Sequence, residues 1–288
     1  MISATAPRTV SARIRHLYLA IAFGLVIGMI PIGVGTAQAA ATFRSASSAN
    51  SGLTNTVTIA QPAGIQANDV MLASISRDGT SSVTPPAGWV SIRSDAQAGD
   101  IAQDLFYKVA TGSEPADYTF TLGAVTGASG AIAAYSGIDT TNPIDAHGGQ
   151  GNGESSNITA PSITTTVADA ALVGFFANLS GGSITQPPGM TERVDQSSID
   201  AVTEIADESF ATPGATGTRV ATGSAGLNVG QLVALKPSGS PPPSATVVVN
   251  STGDASDTTP GDDVCDTGGT VGTDPECTLR AAIQEANA

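Results

Sequence analysis

Across residues 42–236 the chain alternates short apolar or β-branched runs with clusters of Gly, Pro, Asn and Asp, which is the spacing of an antiparallel β-sandwich. The runs 56–60, 89–92 and 118–122 switch between apolar and polar residues. In the last of these, period two puts Tyr118, Phe120 and Leu122 on one face and Thr119 and Thr121 on the other, so one face is expected dry and one wet. The runs 69–76, 130–136, 170–178 and 227–235 are apolar almost throughout and read as central strands or strands covered on both faces. No stripe of helical period runs through this stretch.

An internal similarity joins the strands into one unit. Residues 69–90 read DVMLASISRDGTSSVTPPAGWV, and 169–194 read DAALVGFFANLSGGSITQPPGMTERV. Both pass from a strand through a loop to Val or Ile, Thr, a Pro-Pro pair, Gly and a large apolar residue. Trp89 and Met190 are thus counterparts, each expected to plug a sandwich edge behind a turn stiffened by Pro85-Pro86 or Pro187-Pro188. Two copies with so long a period do not make a solenoid; paired sheets with pseudo-symmetry fit better.

The texture changes at 237–244, PSGSPPPS, a semi-rigid spacer that can bury nothing. Residues 246–249 predict a short strand, and 251–276 an acidic loop. A helix follows, with Thr278 as its cap and an apolar stripe of Leu279, Ala282, Ile283 and Ala286, leaving Arg280, Gln284 and Glu285 outward. So short a helix is marginal alone and needs a partner surface.

The first residues carry an address. Arg8, Arg13 and Arg15 precede an apolar run over 17–34 and then Ala37-Gln38-Ala39, the small-x-small pattern of a cleaved signal peptide, with cleavage expected after Ala39. An uncleaved anchor is the competing reading, because the run approaches spanning length, but Gly24, Gly28, Pro31, Gly33 and Gly35 loosen it. The domain plan is therefore a leader at 1–39, a sandwich at 40–236, a linker at 237–244 and a strand-loop-helix segment at 245–288. The chain is expected to be secreted or held at the cell surface, meeting the membrane only through its leader during export.

Composition agrees. With 33 Gly, 17 Pro and only 12% charged residues, long solvent-facing helices are disfavoured. The net charge is −14, and removing the three leader arginines leaves eight basic against 25 acidic residues, or −17. Such a surface repels phosphate backbones, so nucleic acid is not an expected partner. Export also makes the cysteines readable. Cys265 and Cys277 are an even pair in one loop, which favours a disulfide worth about 3 kcal/mol of loop entropy. Free thiols are the alternative, then a metal, although two thiols without a nearby histidine fall short of a zinc site.

The last residues, CTLRAAIQEANA, together with the strand and the acidic two-cysteine loop before them, resemble the CSLREA domain that precedes right-handed parallel β-helices in bacterial surface proteins. Cys277, Leu279, Arg280, Ala282 and Ile283 match its motif; Thr278 stands where Ser is usual and Ala281 where Glu is usual. The resemblance implies a cap for a β-helix, which would be the segment's own downstream partner and which the sequence lacks, so the chain reads as a fragment. Runs such as LFYKVATGSEPADYTFTL, GAIAAYSGIDTTNPID and APSITTTVADAALVGFFA are similar to jelly-roll-like modules of secreted bacterial and phage-tail-associated proteins. That likeness implies an all-β, jelly-roll-like sandwich and brings no catalytic residue with it.

Candidate chemistry is sparse. His147 sits in the glycine-rich stretch Asp145-Ala146-His147-Gly148-Gly149, read as a loop, with no GxSxG elbow to supply a nucleophile. Glu114, Asp117, Glu192, Asp195, Glu204 and Asp207 cannot be paired as glycosidase carboxylates from sequence and read mostly as solvated turns. Asp254, Asp257, Asp262, Asp263 and Asp266 offer the hard oxygens calcium prefers, but their spacing departs from the EF-hand and no Glu closes the loop. No phosphate-binding glycine motif follows a strand, and no cofactor other than calcium is indicated. The expected role is a non-catalytic surface protein in adhesion or glycan binding. The alternatives are the accessory part of a β-helix polysaccharide lyase or hydrolase, and a structural surface or phage-tail module.

Overall fold

A computed structural model describes residues 40–197, 201–239, 249–260 and 264–286. The leader, its Ala39 cleavage site, and most of the spacer and of the strand expected at 246–249 lie outside the described residues.

The sandwich is all-β. Its first half contains β1 (Thr42–Ala60), β2 (Val70–Asp78), β3 (Val83–Thr84), β4 (Val90–Gln97), β5 (Ile101–Val109) and β6 (Asp117–Ser136). These form an antiparallel sheet in the order β1-β6-β2-β5-β4, with β3 paired to β6. The second half contains β7 (Ile144–Ala160), β8 (Thr164–Thr165), β9 (Ala170–Asn178), β10 (Thr191–Gln196), β11 (Val202–Phe210), β12 (Gly214–Ala215) and β13 (Arg219–Leu235). Its main sheet runs β7-β13-β9-β11-β10, the same order copy for copy, and β8 pairs with β12. The duplication seen in the sequence is therefore the plan of the fold: each repeat winds one sheet.

Register makes the equivalence residue by residue. Ile75 lies opposite Asp104 on one side and Gly130 on the other, just as Phe176 lies opposite Glu204 and Gly230. The Pro-Pro turns also match. Trp89 N–H donates to Pro86 O at 3.4 Å and Met190 N–H to Pro187 O at 3.1 Å, across glycines at φ +86° (Gly88) and +93° (Gly189). A glycine third in such a turn satisfies the positive φ a type II turn requires there. Trp89 then enters the first repeat's core edge-on to Tyr118 at 5.2 Å, and Met190 is buried as its counterpart.

The apolar residues form three principal cores. One lies within the first repeat (Val57, Ile75, Trp89, Phe106, Phe120), one within the second (Ile158, Leu172, Phe176, Leu232), and a third between them (Leu72, Leu105, Tyr135, Val173, Phe175, Ile205). This is why β2 and β9 are buried almost throughout: each has a core on both faces. β1 and β6 run past their sheet, break register near Asn50 and Thr54, and fold back over it. Gly130 permits that closure, because a Cβ there would stand 2.8 Å from Ile59 Cδ1 and 2.7 Å from Ile75 Cδ1.

The sandwich extends past residue 236. Pro237 bridges to Ile138, and Ser238 N–H donates to Gly137 O at 2.8 Å, so the first residues assigned to the spacer close the fold.

The C-terminal segment joins its loop to a helix. Cys265 and Cys277 are disulfide-bonded, with Cα atoms 5.3 Å apart. Inside the bonded loop a hairpin not foreseen from sequence pairs β14 (Thr270–Val271) with β15 (Asp274–Pro275). Thr278 caps α1 (Leu279–Ala286), its Oγ1 accepting from Ala281 N–H at 3.1 Å. The expected stripe divides. Ala282 turns inward with Ala281, whereas Leu279 and Ile283 are 62% and 53% exposed. Gln284, expected outward, accepts from Asp257 N–H at 2.9 Å. The cause is local: Thr278 Oγ1 donates to Ala255 O at 2.6 Å and Gln284 holds Asp257, so the loop draws the small-residue face of the helix onto itself.

Candidate binding cleft at the repeat seam

The two sheets pack face to face, and edge strand β4 of the first meets edge strand β7 of the second without ladder pairing. The glycine-rich run at 147–153 is thus a strand, not a loop. Its glycines answer the closeness of the seam: a Cβ on Gly149 would stand 2.5 Å from Asp95 Oδ2, and one on Gly151 2.4 Å from Ala96 O. The second contact is with backbone, which cannot rotate away.

A polar network ties this seam. Arg93 holds Asp95 through Nε at 2.5 Å and Nη2 at 2.8 Å, and its Nη2 also donates to Gly149 O at 3.2 Å. Its Nη1 lies 3.2 Å from His147 Nδ1. Gln231 crosses from the second sheet to donate to Asp95 Oδ2 at 2.7 Å and Gln103 O at 3.1 Å. Burial pushes the Asp95 carboxyl up, but hydrogen bonds from Arg93 and Gln231 and the charges of Arg93 and His147 prevail and hold it below the usual carboxylate range. His147 is therefore part of a seam anchor, and no hydroxyl nucleophile bonds to it among the described residues.

Beside this anchor opens a cleft of about 320 Å³. Val90, Ile92, Pro143 and Ile144 give it apolar walls; Ser91, Tyr107, Thr141, Asn142 and His147 bring polar groups to it. Among the described residues, the Ser91, Thr141 and Tyr107 hydroxyls and the Asn142 side-chain amide make no hydrogen bond within the protein. An apolar hollow with a few convergent polar groups is the usual form of a small-molecule site.

The internal symmetry supplies a control. At the equivalent seam, between β1 and β10, a cleft of about 250 Å³ is lined by Phe43, Tyr135, Arg193 and Asp207. By register Phe43 replaces Ile144, Asp207 replaces Tyr107, and Arg193 takes the bulge position of Ile92. Here the central polar groups satisfy one another, while Asp169 and Ser209 stand exposed at the rim. Arg193 pairs with Asp207 at 2.8 and 2.9 Å, Tyr135 OH donates to Asp207 at 2.9 Å, and the guanidinium lies 4.2 Å over the Phe43 ring. The centre of one seam is filled by an ion pair, and the centre of the other by Ile92 and Tyr107.

Three of the carboxylates read from sequence as turn residues are buried. Glu114 accepts from Lys108 Nζ at 2.7 and 2.9 Å, Thr111 N–H at 2.7 Å and Tyr118 OH at 2.7 Å. Asp207 is held by Arg193 and Tyr135, and Glu204 lies opposite half-buried Asp195 on the ladder; Asp117 and Glu192 are exposed. Glu204 and Asp207 stand within β11, whereas Glu114 does lie in the β5–β6 turn, its carboxyl folded inward onto Lys108 and Tyr118. In the C-terminal loop Asp254 pairs with Arg280 at 2.7 and 2.8 Å, Asp257 accepts from Thr259 and Asp266 N–H, and Asp266 accepts from Gly268 N–H. Asp262 and Asp263 lie outside the described residues, and among the described residues no three acidic, His or Cys side chains are grouped to hold a metal. Sequence reasoning missed the cleft itself, whose residues are drawn from 90–92, 107 and 141–147 and share no motif. No known protein family, curated protein or solved structure matches the chain.

Proposed function

We propose that this is an exported, non-catalytic surface protein that binds a saccharide in the β4/β7 cleft. The observation that carries the reading is the contrast between the centres of the two seams: here Ile92 and Tyr107 stand where the other seam has the Arg193–Asp207 ion pair, which leaves an apolar hollow rimmed by Ser91, Thr141 and Asn142. A sugar ring offers the matching chemistry, an apolar C–H face for the walls and Tyr107, and hydroxyls that donate to and accept from the rest. The net charge of −14 favours neutral over polyanionic glycans. Export is supported by the basic-apolar-Ala37-Gln38-Ala39 leader and by a cysteine pair placed to bond. The CSLREA reading of the last segment is supported by its disulfide-bonded loop followed by a Thr278-capped helix. The test is a glycan array probed with the full chain and with Tyr107→Ala. Retention of a neutral glycan by the wild type, lost by Tyr107→Ala but kept by Arg193→Gln at the other seam, supports the reading. Absence of any retained glycan removes it.

A further inference from the structure

Glu204 holds in the second repeat the place that Asp104 holds in the first, one facing Phe176 and the other Ile75 across the ladder. In the first repeat the acid is neutralised from within: Arg77, 2% exposed, forms an ion pair with Asp104. The second repeat has Asn178 at the position of Arg77, and its side chain is occupied by β13 and by the loop after β9, donating to Ser224 O at 2.6 Å and accepting from Ser180 N–H at 2.6 Å. The neighbouring position changes as well. Where Ser94 lies opposite Asp104, Asp195 lies opposite Glu204. The copy has thus lost a cation and gained a carboxyl.

The consequence is a buried acid without a counter-charge. Glu204 is 0% exposed, and neither of its carboxyl oxygens has a hydrogen-bond partner among the described residues; Asp195 Oδ1 is likewise buried and unpartnered. Asp195 Oδ2 accepts from Ile184 N–H at 3.2 Å, its one hydrogen bond among the described residues. The ladder neighbour of Glu204 on β9 is Phe176, and among the described residues the charged groups that act on it come from β10, Asp195 and Glu192, both of its own sign. A carboxylate in such a place must find a metal ion or keep its proton. Among the described residues no three acidic, His or Cys groups can hold a metal, which leaves the proton.

We infer that Glu204 is a built-in proton site: it stays a neutral acid in the folded protein at neutral pH, and its ionisation loosens edge strand β10 from β11. Burial first, then the like charges of Asp195 and Glu192, push its carboxyl up to about 9. Because the folded value lies above the unfolded one, the contribution to stability is complete below the unfolded value and is lost as pH rises towards the folded one. The first repeat, with Arg77 in place, lacks this sensitivity, so alkali acts on β10 and the β1/β10 seam while β4 stays in register.

Carboxyl-carbon NMR titration of the full chain, with hydrogen exchange on the same samples at about pH 7 and about pH 9.5, decides the matter. One Glu carboxyl should titrate above about pH 8 and vanish in Glu204→Gln, and protection factors of residues 191–196 should fall by about tenfold or more at the higher pH in wild type alone. Titration of Glu204 in the ordinary carboxylate range overturns the proposal, and this reading needs no folded variant. So does equal loss of protection over 90–97. Added calcium that stabilises wild type but not Glu204→Gln in metal-free buffer would assign the pair to a cation instead.

Discussion

Arg77→Met should turn the first repeat into an electrostatic copy of the second, and its cost can be worked from the structure. The Arg77 and Asp104 side chains are 3% and 13% exposed, so the pair sits inside the first repeat rather than on its surface. Removing one partner of such a pair strands the other charge, at about 3–5 kcal/mol. Two features place this case near the lower end. Arg77 Nε is buried without a hydrogen bond, so the guanidinium is incompletely satisfied already, and Met replaces much of the arginine stem, so the cavity left is small. About 3 kcal/mol is expected. With an m-value of about 2–3 kcal/mol/M, the urea midpoint at neutral pH should drop by about 1–1.5 M. The double variant Arg77→Met with Asp104→Asn should recover most of the loss, because no buried charge then remains. A single variant within about 1 kcal/mol of wild type, or a double variant less stable than the single, would refute the claim that the pair neutralises a buried acid.

Two further substitutions probe the fold. Gly230→Ala should cost about 2–3 kcal/mol and Gly130→Ala about 1 in the same unfolding assay, since the added Cβ meets Thr159 backbone at 2.5 Å in one case and movable isoleucine methyls at 2.7 and 2.8 Å in the other; equal costs would contradict the back-folded ribbon. Glu114 sets an acid limit: burial pushes its carboxyl up, but Lys108, Thr111 and Tyr118 overcome this and hold it down at about 2. That contribution, about 3 kcal/mol, is present above the unfolded value near 4.5 and lost as pH falls towards about 2, so thermal melts of Glu114→Gln should show a shallower acid decline, and an unchanged decline would count against the assignment.

Much of this architecture can be read from residues alone. The alternation of Tyr118, Phe120 and Leu122 with Thr119 and Thr121 is realised as buried against exposed, and the continuous runs at 70–76 and 170–178 are covered on both faces. The Pro-Pro repeat marks the duplication that orders both sheets, and Thr278 caps its helix. What resists reading depends on contacts between distant segments. Gly149 and Gly151 look like loop residues because the strand edge they must admit, Asp95 and Ala96, is far away in sequence. Glu204 and Asp207 look like solvated acids because their burial follows from sheet packing rather than from local hydrophilicity. The cleft is invisible for the same reason: Ser91, Tyr107 and Asn142 converge only when two edges meet.

The central claim is that one seam binds a ligand while its internal copy is neutralised by its own side chains. Amide and aromatic NMR shifts of the full chain, followed during titration with the neutral glycan retained most strongly on the array, test it most directly. The account predicts saturable shifts at Ser91, Tyr107 and 141–147, none at Phe43, Arg193 and Asp207, and at least about tenfold weaker binding by Tyr107→Ala. Shifts centred on the β1/β10 seam, or saturable binding unchanged by Tyr107→Ala, would contradict it.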